Sequence, residues 1–282
     1  MTRSKSVAAL YVGLSVIGLA GCQQKQSLHL DPLAADQRTG SAPDLSYPAV
    51  MHIAAASRSA GDFANAVSLY RHAGTMEPSN TEPLVALGGT LLEMGRPDEA
   101  ITAYNAALKL NARDQNALRG LAKSFLKTGR PDLAANPLAM AYKDNPNDPK
   151  LLLMIGVADD FIGQHANAQV RYQQGLRLAP ADRSLTLDLA LSLALTEKFD
   201  AAIYLLRPMA LSSSATAQER QTLALIYGLK GDQRSAMQFA RMDLDAAAAS
   251  HNLVFYESLR RLPPDARSRA ILAASAASQP QS

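Results

Sequence analysis

Apolar residues in the middle of the chain recur with the spacing of one helical face. Leu84, Leu87 and Leu91 share such a face, and Leu118, Leu121 and Phe125 repeat it further along. One segment objects. Residues 185–195, LTLDLALSLAL, place leucine at every second position, and read alone they favour a strand. The phase of the neighbouring segments overrules that reading by putting Leu189 and Leu193 on the buried positions of a helix, which leaves the other leucines to be explained. Near the end, HNLVFYESLRRL from His251 to Leu262 predicts one more helix with Leu253, Tyr256 and Leu259 inward, stopped by Pro263 and Pro264.

Three columns of small or special residues share a period of 34 residues. Alanine stands at Ala66, Ala100, Ala134, Ala168, Ala202 and Ala236. Five residues before each comes glycine, at Gly61, Gly95, Gly129, Gly163 and Gly231, with Glu197 as the exception. Proline follows the alanine by twelve at Pro78, Pro146 and Pro180, with Ala112, Ser214 and Ala248 as departures. Glycine suits a turn that needs a left-handed backbone, alanine a close helix crossing, and proline the end of a helix. Pro97 and Pro131, in GRPDEA and GRPDLA, stand where a first helical turn tolerates proline. A helix–turn–helix unit of 34 residues is the tetratricopeptide repeat, which stacks into a solenoid. The expected fold is therefore all-α: a right-handed superhelical solenoid of about six repeats, at 47–80, 81–114, 115–148, 149–182, 183–216 and 217–250, with a capping helix at 251–262.

The two ends of the 282-residue chain read differently. Arg3 and Lys5 precede an apolar run from Val7 to Leu19 that is short for a membrane span and has the layout of a secretory signal. It closes on Leu19-Ala20-Gly21-Cys22, which resembles a bacterial lipobox. Residues 1–21 are thus expected to be a cleaved leader and Cys22 a lipid attachment point. Cys22 is the single cysteine, so the chain has no internal disulfide. Acyl chains, at about 0.8 kcal/mol per buried CH₂, would hold it at a membrane. Gln23 rather than aspartate after the cysteine points to the outer membrane by the enteric sorting rule, with the protein facing the periplasm. Residues 22–46, rich in Gln, Ser, Pro, Asp and Ala, read as a flexible tether, and 263–282 as a largely disordered tail. Net charge is +3, and loss of Arg3 and Lys5 leaves +1, so charge names no partner. Aromatics at 5% and the lack of tryptophan argue against a nucleic-acid stacking surface.

No converging catalytic constellation is present: no phosphate loop, HExxH, CxxC or GxSxG. The reading is of a non-enzyme with no cofactor, metal or small-molecule substrate. His165 is expected to pack or lie at the surface. Asp159 and Asp160 point about 100° apart on a helix and read as solvated carboxylates, as do Asp243 and Asp245. What remains is the surface. In this repeat class the second, fifth, ninth and twelfth positions of each unit line the concave face, which selects Arg119, Lys123, Leu153, Val157, Leu187 and Leu191 as a partner-binding groove. An apolar strip beside a basic pair suits an amphipathic helix or an extended peptide. The alternatives are that Leu187 and Leu191 pack against a neighbouring helix, and that Arg119 and Lys123 form a solvated cationic face.

From Leu185 to Leu262 the chain resembles the tetratricopeptide lipoproteins of the tight-adherence (Flp) pilus system, the TadD type. The Arg241-Met242-Asp243-Leu244-Asp245 run and the Asn252-Leu253 pair before Phe255-Tyr256 carry the resemblance, since a generic repeat does not require them. Residues 47–182 look like repeats of many families, and Glu197 and His251 depart from the pattern. The resemblance implies an outer-membrane lipoprotein that assists assembly of the pilus secretion machine, pilotin-like for its secretin. A type IVa pilus pilotin and a periplasmic adaptor of a protease or cell-wall hydrolase are the alternatives.

Overall fold

The structure is a computed structural model that describes residues 45–278. The expected leader, Cys22 and nearly all of the tether lie outside that range, as do residues 279–282. From Tyr47 onward the chain forms one compact unit of helices, with no strand among the described residues. Six helix pairs come first: α1 (Tyr47–Ser59) with α2 (Phe63–Met76), α3 (Glu82–Glu93) with α4 (Pro97–Leu110), and α5 (Gln115–Lys127) with α6 (Pro131–Asp144). Then follow α7 (Pro149–Phe161) with α8 (His165–Leu178), α9 (Arg183–Leu195) with α10 (Phe199–Ala210), and α11 (Ala217–Lys230) with α12 (Gln233–Ala240). The chain continues through α13 (Ala246–Arg260) and α14 (Pro264–Ser278).

The turn inside each pair shows why glycine recurs. Gly61, Gly95, Gly129, Gly163 and Gly231 have φ of 79, 70, 68, 79 and 94°, the left-handed region where a Cβ is costly. Glu197 occupies the same slot of the fifth pair at φ 60°. The alanine column has no exposed surface at any of its six positions. A second small column faces it from the first helices, at Ala54, Gly88, Ala122, Gly156, Ala190 and Ala224, all buried. Larger side chains fill the space between: Tyr70, Tyr104, Leu138, Tyr172 and Leu206. The fit is close, because a Cβ on Gly156 would stand 2.4 Å from the Tyr172 ring. Aspartates start several helices; Asp62, Asp182, Asp232 and Asp245 each accept a hydrogen bond from the backbone N–H three residues on.

Residues 185–195 are helical. Their strand-like alternation has a plain cause: α9 packs against α7, α8, α10, α11 and α14, so leucines on nearly all its sides are covered. Near the C-terminus the chain departs from expectation. The second helix of the sixth pair stops at Ala240, after eight residues. The 241–245 run forms the turn: the Asp243 carboxylate pairs with Arg220, and Asp245 caps α13. The capping helix therefore begins at Ala246 rather than His251. The segment read as a largely disordered tail instead forms α14 as far as Ser278, with Ile271 and Leu272 buried. Pro263 and Pro264 end α13, but Pro264 also opens the next helix, a position where the missing N–H is no loss.

Candidate functional site

The first helices of successive pairs pack side by side, α3 on α5, α5 on α7, α7 on α9, α9 on α11 and α11 on α13, whereas the second helices have no comparable contacts with one another. Helices that crowd on one side and spread on the other curve the stack, so the first helices form its inner wall. No helix among the described residues is long and apolar enough to cross a membrane, and no group of His, Cys, Asp and Glu among them is arranged to hold a metal ion.

The wall differs between its two halves. Toward the N-terminus it is open. Arg58 on α1 reaches Glu93 on α3, its Nε 2.8 Å from Oε2. Beside this pair Glu82, Val85, Ala86, Gly89 and Asn116 line a cavity of about 420 Å³. Lys123, on α5, is exposed and has no ion pair among the described residues. Arg119, one turn earlier, is not the solvated cation that one reading expected. Its Nη1 lies 2.5 Å from Asp148 Oδ2 and its Nη2 donates to Asn116 Oδ1 at 3.3 Å. Asp148 in turn accepts from Lys150 and Leu151 N–H at the start of α7, so Arg119 ties one first helix to the cap of the next. Thr81 does the same with Asp114, at 2.6 Å, and Arg183 with Glu219, at 2.8 Å.

Toward the C-terminus the wall is filled. Leu153 and Val157 are half-buried against Tyr172, Leu185 and Leu189. Leu187 is 9% exposed and packs with Ala190, Leu223 and Ala224. Leu191 lies against Leu195, Leu229, Ile271 and Leu272, that is, under α14. Of the two readings of these leucines, packing is therefore the one the structure supports. The six residues singled out from the repeat positions thus do not form one continuous open groove: Lys123 is open, Arg119 is engaged, and the four aliphatic residues are covered in whole or part.

Behind that covered half sits a polar cluster that sequence reasoning treated as solvent-facing. Asp160, 4% exposed, accepts hydrogen bonds from Tyr172 Oη at 2.9 Å and Ser192 Oγ at 2.8 Å, and His165 Nδ1 lies 2.7 Å away. Burial is affordable because its oxygens are fully engaged. Asp188 has no such partners among the described residues. Burial, with the charges of Asp160 and Asp182 adding to it, pushes its carboxyl up to about 7. Burial also raises Asp159, against the pull of Arg171. The partners of Asp160 come from two other helices, α8 and α9, and no spacing rule on a single helix brings them together.

Glu197, the exception in the glycine column, meets a residue that no spacing pattern pairs with it. Arg267 of α14 reaches Glu197 in the turn between α9 and α10, with Nη2 2.5 Å from Oε1. The one repeat that lacks its turn glycine is the one whose turn residue holds α14.

Comparison with known proteins agrees with this architecture. A family described as tetratricopeptide repeat matches residues 85–149. No curated protein matches by sequence. Among solved structures, the anaphase-promoting-complex Cut9–Hcn1 assembly is similar with a TM-score of 0.65 at 21% identity, over 75% of this chain and 42% of that one, so the chain spans well under half of that protein. Pseudomonas aeruginosa PilF gives 0.61 at 18% identity, over 74% of this chain and 97% of its own. PilW, described as a widely conserved type IV pilus biogenesis factor, gives 0.63 at 16% identity, over 68% and 90%. At such identities the likeness speaks for the fold alone, and with the 34-residue columns and the stacked helix pairs it makes this chain a tetratricopeptide-repeat solenoid.

Proposed function

We propose that this protein is an outer-membrane lipoprotein scaffold that binds other proteins along its inner wall and assists assembly of the tight-adherence (Flp) pilus secretion machine, acting like a pilotin on its secretin. The observation that carries the binding role is the inner wall itself. Between α1 and α5 it offers the Arg58–Glu93 pair and the small residues Ala86 and Gly89 at one cavity, with Lys123 exposed further along α5. Such a surface suits a peptide segment with mixed polar and apolar groups, which is how tetratricopeptide solenoids generally engage proteins. The pilus assignment draws on the Arg241–Asp245 run, which here truncates α12 and caps α13, and on the Asn252-Leu253-Val254-Phe255-Tyr256 stretch of α13. Anchoring at Cys22 draws on the lipobox. A type IVa pilus pilotin is the second reading, favoured by the likeness to PilF and PilW; a pilus ATPase, a secretin and a small pilin encoded beside the gene would point to tight adherence.

Cys22→Ala tests the anchor and the role together. The variant should leave the membrane fraction, and assembled secretin multimers should fall; unchanged multimers would count against pilotin action. Binding along the open wall is tested by Val85→Glu with Lys123→Glu. That pair should keep its helical circular dichroism and lose the secretin in a pull-down.

A further inference from the structure

The covered half of the inner wall is covered by a piece of the chain that does not behave as a repeat. α13 packs on α11 as a seventh first helix would. A second helix would then fold back along α13, but α14 touches it only in part and reaches α9. Ile271 and Leu272 enter the cluster of Leu195, Leu229 and Leu259, with Phe161, Leu191 and Leu225 around them. Arg267, one turn earlier on the same helix, makes the ion pair with Glu197. On its other flank α14 leaves a gap of about 350 Å³ against the last turn of α7, lined by Ile162, His165, Asp265 and Arg269 among others. The helix is otherwise rich in alanine and serine.

Glu197 makes the arrangement pointed. A residue with a Cβ is strained at φ 60°, and five of six equivalent turns use glycine. The local backbone would be better served by glycine here too, so the carboxylate earns its place through Arg267.

We propose that α14 is a displaceable occupant, and that the strip formed by Phe161, Leu191, Leu195, Leu225 and Leu229 is a docking site for an amphipathic helix of a partner protein. The entering helix carries two adjacent aliphatic residues and, four residues earlier, a cation for Glu197. The chemistry is that of α14, which is seated on the strip. α14 lowers the apparent affinity for such a helix by the fraction of molecules in which the strip is closed. This deepens the proposed protein-binding role, on which it rests, by assigning the kind of segment bound and a self-occluded state.

The probe is a fluorescent peptide of residues 264–278, titrated by anisotropy into the full chain. Two variants open the site by weakening the chain's own occupant while leaving the strip and Glu197 intact: Arg267→Ala removes the clasp, and Ile271→Asp with Leu272→Asp removes the plug. The peptide, which keeps its own Arg267, Ile271 and Leu272, should bind Arg267→Ala at least about tenfold tighter than the unaltered chain, and bind the plug variant more tightly still. Equal binding to all three proteins would overturn the proposal, as would no binding to either variant while their helical circular dichroism is intact. If the plug variant unfolds, Arg267→Ala decides alone. The peptide reads the strip without any pilus component, so a negative secretin pull-down leaves this inference standing, and a negative peptide titration leaves the pilus reading standing.

Discussion

Adding one methyl group at Gly120 should destabilise the solenoid, while the same methyl at Gly89 should stabilise it. Both glycines lie inside first helices, α5 and α3, where alanine is favoured over glycine by about 1 kcal/mol. Their surroundings differ. A Cβ on Gly120 would stand 2.1 Å from Tyr104 Cζ and 2.3 Å from Cε1. The ring has little room toward α3, because the position of a Cβ on Gly88 is only 2.8 Å from the same ring atoms, which shows how close that backbone already is. Tyr104 is buried, so moving it disturbs the contact between three consecutive helices. Overpacking of this kind costs about 1–3 kcal/mol, and the depth of the overlap places Gly120→Ala at the upper end. The net loss is about 2 kcal/mol after the helix-propensity gain is subtracted. At Gly89 the nearest atom to the new Cβ is the Arg58 guanidinium at 3.5 Å, an ordinary contact at the end of a flexible side chain. There the full gain of about 1 kcal/mol should appear. Urea unfolding followed by circular dichroism would place the two variants on opposite sides of the unaltered protein. If Gly120→Ala gained stability as Gly89→Ala does, the claim that Tyr104 locks adjacent repeats through paired glycines would be wrong.

Other predictions concern the covered wall and the C-terminal turn. Asp188 has a carboxyl raised to about 7 in the folded chain, against about 3.9 when unfolded, so the folded state holds the extra proton between those values and stability falls as pH rises through the window. Asp188→Asn should therefore raise the urea midpoint at pH 8, by more than about 1 kcal/mol of stability, with the gain shrinking toward pH 4. Leu187→Asp, which places an ionisable group where the side chain is 9% exposed, should lose helical circular dichroism or unfold at markedly lower urea; an unaltered midpoint would mean that the position faces an open groove after all. Asp245→Ala removes the acceptor for Ala248 N–H, at 2.8 Å, and should cost about 1 kcal/mol, read by the same unfolding curves.

The repeat was legible because its causes are local. A left-handed turn asks for glycine at Gly61 or Gly129 whatever lies far away, and a close crossing asks for alanine at Ala66 or Ala168, so a fixed period in the chain carries over to a fixed period in space. Helix ends followed for the same reason, from Pro97, Pro131 and the prolines past α2, α6 and α8. The wall was legible only as a set of positions. Which of them stay open depends on segments distant in sequence. Leu191 lies under α14, about eighty residues further on in the chain. Asp160 is buried because Tyr172 and Ser192 arrive from two other helices. Glu197 stands where a glycine was expected because Arg267 is there to meet it. Sequence spacing determined how each pair of helices is built and which way it faces, because those are properties of short stretches of backbone. Tertiary structure alone decided what covers the inner wall, because a weakly patterned helix such as α14 takes its place from the surface it finds and not from a signal of its own.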